Sequence, residues 1–429
     1  MAAFGSGGQD AIERSSRSSG RGPDAVTISQ RSGSVDGPAQ YAPAMTQRHL
    51  AGARILAQGL LDPGPGQAPT PTEVTRVFGA HQGQDVAGVM ASLALRTGGE
   101  LDPVLGAFDR GEIVRGYPMR GTVFAVAADT LAWLTQLCAA GPIRAATKRR
   151  PALGLEDAHV VRAEEVLEDV AAEHSTPGAG RGVLRAELLE TWQRAGIPTD
   201  RGRGYHLLTH LISTGTAAYG PWRGNETAVV LARTWLPAGS DLEGSFNGEE
   251  EAAIAELARR YFTSHGPASV RDLAWWSKLP MGRIRSALPQ IEEHLETGFA
   301  DTDGRLHRDA ATARGGGEQM WWRPGLAEEY ARREKEAMRE LLLPGFDELV
   351  LGYPDRLYLL DEAHHQALVP GRNGVFKRAA VRRGQVVATW GRTGSAGRRR
   401  LELQELVSVS DAQRRRLEKL FAAFPYTVA

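Results

Sequence analysis

At 429 residues the chain is too long for one ordinary core, and roughly two to four modules are expected. Lys+Arg and Asp+Glu both number 51, so the formal net charge of zero excludes a strongly basic nucleic-acid coat but leaves local basic faces open. One cysteine, Cys138, excludes an internal disulfide and any multi-cysteine zinc or iron–sulfur site, and no apolar run reaches the length of a membrane span.

Residues 1–44 are rich in Gly, Ser, Arg, Pro and Gln and poor in large apolar side chains, so burial cannot offset their ordering entropy and a disordered tail is expected. From Thr46 the pattern predicts a helix that ends near Gly59 and Asp62-Pro63. Thr72 is read as the cap of a short helix to Phe78. The stretch Phe78-Gly79-Ala80-His81-Gln82-Gly83-Gln84-Asp85 follows as a loop, with a helix from Val86 to Arg96 behind it. In that helix Val86, Val89, Met90 and Leu93 share one apolar face, and Asp85 is expected to cap it. Asp102-Pro103 opens a further helix, and Ile113–Tyr117 and Thr122–Val126 read as strands joined by a tight turn. Helices followed by a two-stranded ribbon are the plan of a winged helix.

The plan recurs. Helices over Val183–Trp192 and Gly204–Ser213 precede strands Thr216–Tyr219 and Thr227–Leu231 around a Gly220–Gly224 turn. A third set has a helix Glu250–Thr263, a Ser269-capped helix to Trp276, a helix Arg283–His294 and strands Thr297–Asp301 and Arg305–Arg308. After a helix expected over Leu326–Leu342, alternation in Arg382–Trp390 and Leu401–Val409 predicts strands, and a last helix runs from Asp411 to Phe421. The fold class is therefore α+β, with tandem winged-helix modules at 45–175, 176–245 and 246–325 and a β-rich C-terminal module at 326–429.

On these residues the chain resembles the AlkZ/YcaQ-type winged-helix DNA glycosylases. The matching segments are Gln82-Gly83-Gln84-Asp85 with Leu95-Arg96, Met119-Arg120-Gly121-Thr122-Val123, Gly220-Pro221, and Trp235-Leu236-Pro237. Further on they are Arg260-Tyr261-Phe262 with His265-Gly266-Pro267-Ala268, Leu343 to Glu348, Gly352 to Arg356, and Asn373 to Phe376. The resemblance implies excision of bulky N-alkylated bases and a catalytic Gln-x-Gln motif on Gln82 and Gln84, on the branch that includes self-resistance proteins of antibiotic producers. Gly83 stands where an aliphatic residue is common, and Phe124 where many members carry a histidine.

A glutamine amide orients water but is a very poor base, so two of them suit a leaving group that is already cationic, such as an N7-alkylguanine or N3-alkyladenine. No cofactor and no metal site are expected. Asp85 and His81 are secondary candidates beside the motif. Arg144, Lys148, Arg149 and Arg150, with Arg115, Arg120, Arg201, Arg203, Arg283 and Arg285, are candidate phosphate contacts, and the Ile113–Val126 ribbon is a candidate DNA probe. Trp275 and Trp276 read as core, and Asp347, Asp355 and Arg356 as an ion-pair network. The expected partner is double-stranded DNA carrying alkylpurine lesions, met by a monomer in the cytoplasm at the nucleoid, with no membrane. A non-enzymatic winged-helix DNA-binding protein or transcriptional regulator, and an interaction scaffold, are the competing readings.

Overall fold

Two hairpins with alternating apolar residues end up in one sheet. The computed structural model describes residues 47–426 apart from 65, 314–316, 373 and 395–397; the tail expected over 1–44, Thr46 and Asn373 lie outside the described residues. Strands β1 (His81–Gln82), β2 (Ile113–Met119), β3 (Thr122–Ala127), β4 (Ala217–Arg223) and β5 (Glu226–Leu231) form an antiparallel sheet in the order β1-β3-β2-β4-β5. The sequence pattern assigns the two ribbons to separate modules. They meet because β2 leaves an open edge, which pairs with β4 at Arg115 and Tyr219. Both faces of the sheet are covered. Val114, Phe124, Val126, Ala218 and Val230 enter one core, and Tyr117, Val123, Ala217, Tyr219, Val229 and Leu231 another.

Each hairpin carries a bulge, between Gly116 and Met119 and between Tyr219 and Trp222. The bulges absorb Pro118 and Pro221, which cannot donate to a ladder, so the strands run through the segment expected to be a turn. Three helices unannounced by the pattern fill 128–171: Ala128–Cys138, Ala140–Arg149 and Asp157–Ala171. The last buries Val160, Ala163, Val166 and Leu167, which are spaced at three and four residues.

Some ends differ from expectation for local reasons. Thr70, not Thr72, caps the helix Pro71–Phe78, because Glu73 completes a capping box with it and Pro71 takes the first turn. The helix from Leu326 stops at Ala337, since Leu341, Leu342 and Leu343 pair as a strand instead. Ser269 caps the helix Val270–Ser277 as expected, with Asp272 closing the box. Strands β6 (Ala268–Ser269), β7 (Glu296–Ala300), β8 (Leu306–His307) and β9 (Met320–Trp322) give a second sheet in the order β6-β9-β7-β8. The C-terminal sheet is β10 (Leu341–Leu343), β11 (Ala379–Arg382), β12 (Gln385–Thr393) and β13 (Arg400–Glu405), with the helix Asp411–Ala422 behind it. The class is α+β. No helix among the described residues is long and apolar enough to cross a membrane.

Candidate active site

The glutamine segment is held as the edge strand of the first sheet. His81 pairs with Ala125 and Gln82 with Phe124, and the Gly83 N–H donates to Val123 O at 2.8 Å. Gly83 has no left-handed φ; its reason is close approach. A methyl there would lie 3.0 Å from Ala125 N and 3.1 Å from Phe124 C, both backbone atoms that cannot swing aside. The motif's glycine therefore does not loosen the loop but lets it press onto β3.

Gln82 is buried, and its side-chain oxygen accepts from the N–H groups of Gly83 at 3.0 Å and Gln84 at 3.2 Å. Its own N–H donates to Glu348 Oε1 at 2.6 Å. No partner among the described residues takes its amide N–H₂ group or the side chain of Gln84, which is exposed. Arg115, expected at phosphate, is only 5 % exposed. Its Nε and Nη2 donate to Gly83 O at 3.1 and 2.5 Å, and Nη1 donates to Thr227 Oγ1 at 2.8 Å. This arginine clamps the motif from behind, with Nε, Nη1 and Nη2 all engaged inside the protein.

Behind the loop lies a buried polar array that sequence reasoning missed. Glu348 Oε2 is 3.3 Å from both His265 Nε2 and Trp276 Nε1. Burial lowers the His265 pKa, with Glu348 opposing, so the ring is neutral near pH 7 and its Nε2–H faces the carboxylate. Next to it Asp347 accepts both ends of the Arg96 fork, at 2.9 and 3.0 Å, and the Ser92 hydroxyl at 2.8 Å. Burial opposes the charge on Asp347, yet Arg96 wins and holds that carboxyl below its ordinary range. Asp347 thus ties the helix Val86–Arg96 to the C-terminal half. The expected network with Asp355 and Arg356 does not form: Asp355 accepts from Leu357 N and Arg356 donates to the Val350 and Pro354 carbonyls. Arg96, His265, Asp347 and Glu348 all stand in the matching segments, but separations of up to 266 residues hide their contacts.

His81 is no surface residue. It is 1 % exposed, its ring packs on Phe78 at 4.1 Å, and neither nitrogen has a hydrogen-bond partner among the described residues. Burial, then Arg96 and His265, push its pKa well down, so it is neutral and walled off. Asp85 sits at the N-cap position without making the expected cap bond. Its carboxylate lies against Gly88 and Gly345 instead.

The basic candidates divide. Lys148, Arg149 and Arg144 are exposed on the helix Ala140–Arg149, which packs against the helix Arg203–Ser213. Arg150 is 6 % exposed and bound to Asp157 and His210, so it braces that junction and is not a free phosphate contact. Arg201 and Arg203 share Asp200, Arg283 pairs with Glu250 at 2.6 Å, and Arg285 is exposed. Arg120, at the tip of the β2–β3 hairpin, folds inward: its guanidinium carbon is 5.1 Å from the Phe124 ring centre and 5.4 Å from that of Trp275. Trp276 is core as expected, while Trp275 is only half-buried.

The DNA glycosylase AlkZ-like family model matches residues 75–425. No curated protein matches the chain. The solved structure of the DNA glycosylase AlkZ of Streptomyces sahachiroi is similar, with a TM-score of 0.61 at 20 % identity over 88 % of this chain and 95 % of that one, which shows a shared fold. With the family match over most of its length, the chain belongs to the AlkZ-like DNA glycosylases and is a DNA N-glycosylase.

Proposed function

We propose that this glycosylase hydrolyses the N-glycosidic bond of bulky cationic alkylpurines, N7-alkylguanine and N3-alkyladenine adducts, with Gln82 and Gln84 holding the attacking water and the reacting sugar. The observation that carries the reading is the setting of Gln82. Glu348 fixes its backbone N–H from behind, Arg115 fixes the carbonyl of the next residue, Gly83, and what the loop offers outward is amide. An amide positions water without taking a full proton near neutral pH. A cationic base needs no acid: as the C1′–N bond breaks, the bonding pair neutralises the departing base. Water adds at C1′ and releases a proton to solvent. The Glu348 charge, one hydrogen bond behind the loop, favours the positive charge that grows on the sugar.

Each ribbon follows helices, which supports reading 45–175, 176–245 and 246–325 as winged-helix modules ahead of a β-rich module at 326–429. The exposed Lys148, Arg149, Arg201 and Arg285 then meet backbone phosphates, and the enzyme acts as a monomer on duplex DNA. Selectivity for cationic adducts suits self-protection in a cell that makes a DNA-alkylating product. The test is incubation with duplexes carrying one bulky N7-alkylguanine, one uracil or one 8-oxoguanine, followed by alkaline cleavage. Strand breaks are expected at the alkylguanine alone, and release of uracil would overturn the substrate class.

A further inference from the structure

Three cations from distant parts of the chain converge on one indole. Arg120 of the β2–β3 turn, Lys278 at the end of the helix Val270–Ser277 and Arg356 beyond the helix Glu348–Leu351 lie 5.4, 5.3 and 5.6 Å from the Trp275 ring centre. Arg356 also sits 5.0 Å over Phe376. A tryptophan face attracts a cation, but three around one ring repel each other. None makes an ion pair among the described residues; Glu348 acts on Arg120, and Asp355 on Arg356, only at Coulombic range. Burial lowers the pKa of all three, and the charge of Arg120 lowers those of Lys278 and Arg356 further. The Nε of Arg120 is buried and has no hydrogen-bond partner among the described residues.

The backbone is shaped for this gathering. Arg120 and Lys278 adopt φ of 58° and 64°, and Phe346, whose ring packs on Phe376, adopts 62°. Such values are uncommon outside glycine and are kept where the surroundings over-determine them. Lys278 is exposed, so the cluster opens to solvent. It also adjoins the glutamine motif: Arg120 lies over Phe124, the partner of Gln82 in the sheet, and feels Glu348, which holds the Gln82 N–H.

We propose that Arg120, Lys278 and Arg356 form one phosphate site, on a Trp275 platform, that grips a single DNA backbone phosphate beside the base being removed. The phosphodiester carries one negative charge on two free oxygens. It relieves the repulsion among the cations and takes the point charge of Lys278 beside the two guanidinium groups. Gripping it sets the register of the strand against Gln82 and Gln84. The proposal rests on DNA being the substrate and not on which base is excised.

A duplex with one tetrahydrofuran abasic site, the product analogue of any glycosylase, fixes the register. Methylphosphonates, which remove the charge of one phosphate, are placed singly on either side of it, and binding by the full chain is read by anisotropy. The wild-type protein should lose roughly tenfold in affinity at one position near the abasic site. The K278A/R356Q variant should bind the all-phosphate duplex roughly tenfold more weakly and should be indifferent to charge at that position alone. Its log–log salt slope should be shallower by about 0.9, the value for one phosphate. Full sensitivity of the variant at every position, or unchanged affinity and slope, would overturn the site; a slope change near twice that value would overturn the sharing of one phosphate. Lys278→Ala alters an exposed side chain and keeps the test open if Arg356→Gln lowers the melting temperature.

Discussion

The β2–β3 and β4–β5 hairpins are the same device put to two uses. Both bulge at a proline, Pro118 and Pro221, and they meet at Arg115 and Tyr219. The outer edge of β5 receives a single bridge from Val183. The outer edge of β3 receives His81 and Gln82, and behind them the buried Glu348, His265, Asp347 and Arg96. The β5 edge is merely covered, whereas the β3 edge becomes a mount for the two amides. On the proposed reading, the chemistry resides in what was added to a hairpin and not in the hairpin itself.

The widest break between the two edges comes from the amides. Removing one preorganised donor from an active site typically lowers turnover by about 10²–10³-fold, so Gln82→Ala/Gln84→Ala should lose on the order of 10³-fold in single-turnover excision. Affinity for undamaged duplex should stay within about twofold. Full activity in the double variant would return the pair to ordinary loop residues.

Next comes the carboxylate behind the loop. Glu348→Gln keeps the shape and removes the charge. A hydrogen bond to a charged group contributes about 1.5–3 kcal/mol, so excision should fall roughly 10–100-fold through kcat, with KM little changed. A merely structural Glu348 would lower the melting temperature and leave the rate per folded molecule intact.

One glycine beside the β1 edge and one in the second ribbon sharpen the contrast. A methyl at Gly83 meets the backbone of β3, so Gly83→Ala should displace the motif by a few tenths of an ångström and slow excision about tenfold. At Gly220 the atoms nearest the methyl belong to the Val230 and Trp235 side chains, at 3.0 Å, so Gly220→Ala should lower stability by about 1–3 kcal/mol without changing the rate of the folded enzyme. Equal rate losses in the two variants would erase the distinction.

The ribbons, the Ser269 cap and the last helix were legible because their signals are local: alternation, a capping box, a Gly-Pro pair. The sharing of one sheet was not, because an open edge carries no mark of its partner. Arg115 and Arg150 illustrate the other limit of a sequence. An arginine beside a turn reads as a phosphate contact, yet the carbonyl of Gly83 and the Asp157–His210 pair claim these two from elsewhere in the chain. Gln82 and Gln84 stood out through the family resemblance, whereas Glu348 needed a contact across 266 residues to acquire a meaning.

The smallest expected effect is on the pH profile, and it separates the two places where histidine could matter. His49, His81, His206, His210 and His265 all have pKa values below the ordinary 6.5, burial being the leading cause. In the folded chain they stay neutral where the unfolded chain takes up protons. Their contribution to stability is therefore complete above about pH 6.5 and is lost as the pH falls below it, by at most about 1.4 kcal/mol per pH unit for each histidine. The melting temperature should accordingly drop between pH 6.5 and 5. Excision per folded molecule should stay flat from pH 8 to 6.5, since the two amides do not titrate there. If His81 took the proton from water, the rate would fall with its protonation and His81→Phe would abolish activity. Buried against Phe78, it should instead tolerate that change with the rate profile intact and the stability profile less steep.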